Sequence, residues 1–176
     1  MTLRWRQIAF LAAALGALAS LVVPLSSEAT DGLFAQPLLL TGTLSTAALY
    51  AGAAFVSPWV SIALTFAGVV LGCAVTLGLL HDPAIAGYAA SGFWLFVLAN
   101  WGAAWLGVAG LASQKPHDKV ASRIVDLAIP LLFGAFVFYL WEVAVRGFGV
   151  PTVLLPPPSM IAVRFFSSLW MLWQDF

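Results

Sequence analysis

The side chains best suited to chemistry in this sequence are Glu142 and Arg146, four residues apart near the end of a long apolar run. An acid and a base at helix positions i and i+4 lie on one face, and the acid-first order is the favourable one. An ionisable residue within an apolar run is a functional candidate, because burying a charge in lipid is costly. The spacing predicts an ion pair that is either structural, near the outer end of a helix, or part of a translocation path.

Two other places combine a histidine with an acid, His81-Asp82 and His117-Asp118. Each offers fewer ligands than a zinc site requires, so we interpret them as polar loop and helix-capping residues and predict no metal site. The single cysteine, Cys73, lies in an apolar run and is interpreted as a small core residue. Because the sequence contains no phosphate-binding loop, His-Glu-x-x-His motif or nucleophile elbow, we predict no catalytic residue, no cofactor and no enzyme activity.

The elements that position these residues follow from the composition. Hydrophobic residues make up 62% of the 176 positions and charged residues 8%, whereas a soluble domain carries about 25% charged residues. So few charges cannot cover a folded surface in water, which predicts a protein that lies in the lipid bilayer. The net charge of zero argues against a nucleic-acid partner. Long apolar runs favour helices, because lipid cannot satisfy exposed backbone groups.

Five apolar runs separated by short polar breaks predict five transmembrane helices, at residues 8–25, 37–56, 59–80, 92–112 and 127–145. The expected fold class is all-α, a polytopic transmembrane helical protein. The first run has an alternative interpretation as a secretory signal peptide, because Arg4 and Arg6 precede its apolar core. No clear cleavage site follows it, and four more runs come after, so an uncleaved span is the preferred prediction.

The distribution of Lys and Arg predicts the orientation of these spans. If the N-terminus is cytoplasmic, five of the seven basic residues lie inside, namely Arg4, Arg6, Lys115, Lys119 and Arg123. Arg146 and Arg164 remain outside. The sequence therefore predicts a multi-pass protein of the cell (inner) membrane, with the N-terminus and the loop 114–126 in the cytoplasm.

Several residues within the spans predict how the helices pack. Gly68 and Gly72 form a small-x-x-x-small pattern that lets helices approach closely, within the chain or, as the minority alternative, between two copies. Asn100 in the fourth span is predicted to make a hydrogen bond to another helix. Trp94 and Trp105 are predicted to lie towards the two membrane interfaces, where indole rings are stabilised.

The segment after the fifth span is rich in glycine and proline, which predicts an extended outer path that cannot continue the helix. Ser159 follows and is predicted to be the N-cap of a last helix. In residues 159–176 the apolar side chains cluster on one side and Arg164 lies on the other. This pattern predicts an amphipathic helix along the membrane interface, with a sixth span as the alternative.

The ordered set of residues in this region resembles the start of a known family of membrane proteins. The set is Leu140-Trp141-Glu142-x-x-x-Arg146, Phe148-Gly149-Val150-Pro151 and Leu154-Leu155-Pro156-x-Pro158-Ser159. It is similar to the beginning of permease subunits of ATP-binding-cassette (ABC) importers, in the nitrate, sulfonate and taurine branch of the binding-protein-dependent family. The resemblance covers about residues 119–176. It implies a first permease span, an outer Pro-rich segment and an amphipathic helix.

The resemblance also implies a plan for the whole chain. Residues 1–113 form an unrecognised four-span extension, 114–126 the cytoplasmic basic loop, and 127–176 the start of the permease. The implied partners are a cytoplasmic ATP-binding subunit, an outer solute-binding protein and a second permease subunit. The implied solute is a small anion or small organic molecule.

The family's coupling loop, a Glu-Ala-Ala motif followed by a glycine, does not occur in these 176 residues. We therefore expect the N-terminal part of a longer permease, not competent for transport alone. A stand-alone membrane scaffold or accessory protein is the alternative. An intramembrane enzyme is disfavoured, because no histidine accompanies Glu142 in its span.

Overall fold

The computed structural model describes residues 3–27, 37–114, 116 and 118–174, and within these ranges the chain is helical. The helices are α1 (Leu3–Ala19), α2 (Pro37–Ala53), α3 (Pro58–Leu79), α4 (Ser91–Ala112), α5 (Lys119–Gly147) and α6 (Pro158–Gln174). These ranges contain no β-strand, only an isolated antiparallel bridge between Ser26 and Ala89. The prediction of an all-α protein is confirmed.

The first four helices form a closed ring in which α1 and α3 each pack against both α2 and α4. Neighbouring helices run antiparallel, since α2 and α3 are joined by only four residues, 54–57, and the C-terminal ends of α1 and α3 lie beside the N-terminal end of α4. The core of the ring contains Tyr50, Phe93, Phe96 and Ala103, all 4% exposed or less. Four antiparallel helices around one core are the arrangement of a helical bundle.

The long helix α5 lies outside this ring and packs against it with its C-terminal half, from Phe136 onward. Its buried residues are Glu142, Val143, Val145 and Gly147, and Val143 belongs to the same apolar cluster as Phe93 of α4. Of the most apolar stretch of α5, only 6% is buried inside the protein. The N-terminal part of α5 therefore diverges from the ring, while α6 packs against α5.

The predicted boundaries hold best for the third and fourth spans, where α3 and α4 begin one residue earlier than predicted. The predicted end of the first span, 8–25, is wrong, because α1 covers Leu3–Ala19. Residues 21–25 leave the helix although they are apolar. The carbonyls of Pro24 and Leu25 accept hydrogen bonds from the amides of Gly92 and Ala90, at 2.8 and 2.9 Å.

The prediction of a loop over 114–126 is wrong from residue 119 onward, because α5 already begins at Lys119. The Asp118 side chain accepts a hydrogen bond from the Ala121 amide at 3.0 Å, which is how an N-cap residue stabilises a helix start. Most of the loop's charged residues thus lie on the first turns of a helix. Lys115 and His117 lie outside the described residues.

Among the described residues, three helices are long and apolar enough to cross a membrane: α3, α4 and α5. Each of α1 and α2 has 17 residues, about 25 Å at 1.5 Å per residue. The count of five spans and the interfacial position of α6 remain predictions.

Three connections meet at one end of the bundle, which we call the loop end: residues 20–27, 80–90 and 148–157. The Ser27 amide donates to the Tyr88 carbonyl at 3.0 Å, and the Gly87 amide donates to the Arg146 carbonyl at 2.9 Å. At the opposite end, the Arg6 guanidinium donates to the Val56 carbonyl at 3.4 Å. The N-terminus and the α2–α3 turn therefore share the end opposite the loop end.

Candidate functional site

The Glu142 carboxylate lies near the C-terminal end of α5, and the residue is only 7% exposed. Arg146, one turn further on, places its Nη1 3.5 Å from Glu142 Oε1. The ion pair is thus present, and its role, structural or in a translocation path, stays a prediction. Its geometry is at the long limit for a hydrogen bond, where the attraction is weak.

Ser159, at the start of α6, makes the shorter contacts with Glu142. Its Oγ donates to Glu142 Oε1 at 2.7 Å, and its amide donates to Oε2 at 2.9 Å. The first amides of a helix have no partner within it, so the carboxylate of α5 satisfies a donor at the start of α6. The N-cap prediction for Ser159 is wrong, because α6 begins at Pro158 and Ser159 lies in its first turn. Proline is well suited to the first helical position, since its missing N–H would be unpaired there.

Arg146 joins this cluster to the connection between α3 and α4. Its Nη2 donates to the Leu80 carbonyl at 3.1 Å, while its own carbonyl accepts from the amides of Gly87 at 2.9 Å and Gly149 at 3.3 Å. We call Glu142, Arg146 and Ser159 the Glu142 cluster. Its hydrogen bonds connect α5 to α6 and to the 80–90 segment.

Two glycines permit this crossing of chain segments. Gly87 and Gly149 both adopt positive φ angles, +85° and +62°, which side chains rarely accommodate. A Cβ atom on Gly149 would lie 2.9 Å from the Cα of Gly87. The two backbones touch where the 80–90 and 148–157 segments cross.

Trp94 packs beside this crossing. Its ring stacks on Phe148 with centroids 4.2 Å apart, and its Nε1 donates to the Ala89 carbonyl at 3.2 Å. Trp94 therefore lies at the loop end of α4, but its contacts are with protein. Trp105, by contrast, is 63% exposed, as a residue facing lipid would be.

A second polar cluster lies inside the ring, around Asn100 of α4, which is 1% exposed. The Tyr50 hydroxyl of α2 donates to Asn100 Oδ1. Asn100 Nδ2 donates to the Val69 carbonyl at 3.5 Å and to Cys73 Sγ at 3.4 Å, both on α3. The predicted interhelical hydrogen bond is confirmed, and it extends to two helices.

The predicted close packing at Gly68 and Gly72 supports this inner cluster. A Cβ atom on Gly68 would lie 2.6 Å from the Tyr50 ring, and one on Gly72 would collide with the Asn100 carboxamide. The glycines thus face partners in the same chain, which is the packing that the first interpretation predicted. Cys73 packs against the apolar cluster that contains Tyr50, as expected of a small core residue.

The remaining predicted candidates have local roles. Asp82 Oδ1 accepts from the Ala84 amide at 2.9 Å, and Asp118 caps α5. His81 Nδ1 lies 2.8 Å from the Leu77 carbonyl. Among the described residues, no three His, Cys, Asp or Glu side chains are grouped to hold a metal ion.

The spacing of Glu142 and Arg146 predicts their pairing, but nothing in the sequence predicts Ser159 and the Leu80 carbonyl as further partners. Ser159 lies 17 residues from Glu142 and Leu80 lies 66 residues from Arg146, and separations of this size leave no periodic signal. In the Glu142 cluster the carboxylate and the guanidinium neutralise each other's charge, and the hydrogen bonds hold α5, α6 and the 80–90 segment together.

Comparisons with protein-family models, curated proteins and solved structures gave no match to this chain.

Proposed function

We propose that this chain is a multi-pass membrane protein with a cytoplasmic N-terminus and acts as the N-terminal membrane segment of an ABC-importer permease. Helices α1 to α5 alternate in direction, and three of them are long and apolar enough to span a bilayer. The ring places α1 and α2 alongside α3 and α4, which supports five spans. The basic residues Arg4, Arg6, Lys119 and Arg123 lie away from the loop end, which supports a cytoplasmic location for that end.

One observation carries the permease assignment: the residues that give the resemblance meet in space. Glu142, Arg146 and Ser159 are joined by hydrogen bonds, and the Gly149 amide donates to the Arg146 carbonyl. The ordered residues therefore belong to one structural unit that ties a candidate span to the helix after it. The resemblance implies such a unit, with a first span, an outer segment and an interfacial helix.

In this function the parent permease works with an ATP-binding subunit in the cytoplasm and a solute-binding protein outside. A second permease subunit completes the pathway. The solute is a small anion or small organic molecule, such as nitrate, taurine or an alkanesulfonate. This segment performs no chemistry itself; it anchors the permease in the membrane and orients the first span.

Genetics tests the assignment. The genomic sequence past codon 176 is expected to continue in frame and to encode a Glu-Ala-Ala coupling loop. Deletion of the whole gene should abolish growth on taurine or an alkanesulfonate as the only sulfur source, or on nitrate as the only nitrogen source. Growth on sulfate and ammonium serves as the control. Unchanged growth on all of these solutes would contradict the proposal.

A stand-alone membrane scaffold is the second candidate, and the independence of the α1–α4 ring favours it. The ring has its own buried core, and α5 packs against it only with its C-terminal half. A stop codon directly after position 176, with no neighbouring gene for an ATP-binding subunit, would support the scaffold over the permease.

A further inference from the structure

Arg4 and Arg6 carry the only charges on the four helices of the ring. Helices α1 to α4 contain no Asp or Glu and no other Lys or Arg. Both arginines lie near the start of α1, at the end opposite the loop end, and among the described residues neither forms an ion pair. The described acids at this end belong to α5: Asp118 caps that helix, and Asp126 lies on the part that diverges from the ring. The positive charge of the ring is therefore not compensated by acids of the ring.

The two arginines lie on different sides of α1, because residues two apart on a helix do not share a face. Arg6 is turned towards the ring. Its Nη2 donates to the Val56 carbonyl at 3.4 Å, and its Cζ lies 5.9 Å from the centroid of the buried Phe10 ring. Arg4 is exposed, and among the described residues its side chain has no hydrogen-bond or ring partner. Arg6 thus ties α1 to the 54–57 turn, while Arg4 is free to bind a partner outside the protein.

Arg4 stands at the head of an exposed apolar stripe on α1. Ile8, Leu11, Leu15 and Leu18 follow it at the spacing of one helix face, and they are between 36% and 65% exposed. We call these four residues the α1 stripe. It extends about 15 Å at 1.5 Å per residue, which is half of the roughly 30 Å of a hydrocarbon core. The stripe therefore matches the acyl chains of one leaflet, and Arg4 lies one turn beyond it.

Exposed indole rings mark the level of Arg4 as a membrane boundary. Trp5, the next residue in α1, is 64% exposed, and Trp59, in the first turn of α3, is 54% exposed. Both helices begin at this end of the ring. Indole rings are stabilised at the level of the lipid headgroups. A phospholipid whose chains lie against the α1 stripe therefore has its headgroup beside Arg4.

We infer that Arg4 binds the headgroup phosphate of an anionic phospholipid whose acyl chains lie against the α1 stripe. A guanidinium can bind a phosphate through two parallel hydrogen bonds. A zwitterionic headgroup brings its own cation, which competes with Arg4 for the phosphate, whereas phosphatidylglycerol has no such cation. The inference rests on the membrane placement proposed above, in which Arg4 lies at the cytoplasmic leaflet, where anionic lipids create a negative surface potential.

Native mass spectrometry tests the inference. The chain is purified in mild detergent and mixed with equal amounts of phosphatidylglycerol and phosphatidylcholine that have the same acyl chains, and the ratio of the two bound lipids is measured. Arg4→Gln removes the proposed contact. Arg6→Gln is the matched control, since it removes the same charge two residues away on the other side of α1. Circular dichroism checks the helix content of each variant, and Arg164→Gln on α6 is the control if Arg6→Gln loses helix content.

We expect the wild type to bind more phosphatidylglycerol than phosphatidylcholine. Arg4→Gln should lower this preference about fivefold, the effect of one arginine near an anionic surface, and the control should keep the wild-type ratio. Equal binding of the two lipids by the wild type, an equal loss in the control, or displacement of the lipid by inorganic phosphate would overturn the inference. The membrane placement survives these results if the chain stays in alkali-washed membranes. Extraction of the chain by alkaline carbonate would overturn both.

Discussion

Ser159 donates two hydrogen bonds to Glu142, one from its hydroxyl and one from its backbone amide. The two residues stand on different helices, so this contact fixes the start of α6 against the end of α5. Arg146, the partner expected from spacing, approaches the same carboxylate only to 3.5 Å. The carboxylate therefore acts first as a connector between helices.

Double-mutant cycles should show that Glu142 is coupled more strongly to Ser159 than to Arg146. We expect a coupling of about 1.5 kcal/mol between Glu142→Met and Ser159→Ala, because hydrogen bonds to charged groups are the stronger class. Between Glu142→Met and Arg146→Leu we expect about 0.2–0.5 kcal/mol, the usual value for an i,i+4 pair. The free energy of unfolding in detergent is the measurement.

Ser168→Ala is the matched control for this cycle, since its hydroxyl donates to the carbonyl of Phe165 in its own helix. It should change stability little and show no coupling to Glu142. A larger coupling for Arg146 than for Ser159 would mean that the ion pair, and not the link between helices, dominates the cluster.

The crossing of Gly87 and Gly149 should tolerate no side chain. Gly149→Ala is expected to cost more than the roughly 1–3 kcal/mol of an unfavourable backbone conformation, because its Cβ would also lie 2.9 Å from Gly87 Cα. Gly87→Ala should cost less, since its Cβ would lie 3.5 Å from Gly149. Thermal unfolding of the purified variants measures both.

Gly102 of α4 provides the control for these substitutions, because a Cβ there would meet no atom within 4 Å. Gly102→Ala should be neutral or stabilise the protein by up to about 1 kcal/mol, the difference in helix propensity. If Gly149→Ala were as well tolerated as Gly102→Ala, the two segments would not cross as described.

Substitutions at Tyr50 and at Asn100, the two ends of the inner polar cluster, should lower the stability by different amounts. Tyr50→Phe removes one hydrogen bond without changing the shape of the aromatic ring. It should cost about 0.6 kcal/mol, the average for such bonds in membrane helices, and at most about 1.7 kcal/mol. Asn100→Leu should cost more, because it also removes the bonds from Nδ2 to the Val69 carbonyl and Cys73 Sγ, besides leaving the buried Tyr50 hydroxyl without its acceptor. Adding Tyr50→Phe to Asn100→Leu should then restore part of the loss, and simple additivity would contradict the coupling.

The features that the sequence predicted correctly depend on residues that are close together in the chain. The start of α3 was predictable because Pro58 suits the first position of a helix, and the Glu142–Arg146 pair because helical spacing is local. The end of α1 was not predictable, since residues 21–25 are as apolar as the residues of a transmembrane span. They leave the helix for hydrogen bonds to Ala90 and Gly92. The Ser159 contact likewise depends on the path of residues 148–157, which no periodicity specifies.

The orientation predicted from charge is testable at Ser122, on the first turns of α5. In a Cys73→Ala background, Ser122→Cys should resist an impermeant thiol reagent added outside intact cells and react after the membrane is opened. A cysteine at Val153, in the 148–157 segment and 93% exposed, should react from outside and is the control. Reaction of the Ser122→Cys protein in intact cells would reverse the topology and contradict the permease proposal.

Helix α6 is expected to lie along the outer surface of the membrane, with the C-terminus outside. Its 17 residues extend about 25 Å, the same length as α1 and α2, so length alone does not separate a span from an interfacial helix. Phe165, Phe166 and Trp173 are exposed on one side of the helix, and rings of this kind are stabilised at the headgroup boundary. Arg164, on the other side, would cost about 2.5–3.5 kcal/mol at mid-bilayer.

Two C-terminal fusions distinguish this position from a sixth span. An alkaline phosphatase fused to the C-terminus should be active, because that enzyme folds only outside the cytoplasm, and a fluorescent protein that folds only inside should be dark. Fusions at Ser113, between α4 and α5, should give the opposite pair of results and control for expression. A silent phosphatase and a bright fluorescent protein at the C-terminus would mean that α6 crosses the membrane. The Glu142–Ser159 contact would then mark the entry point of a sixth span.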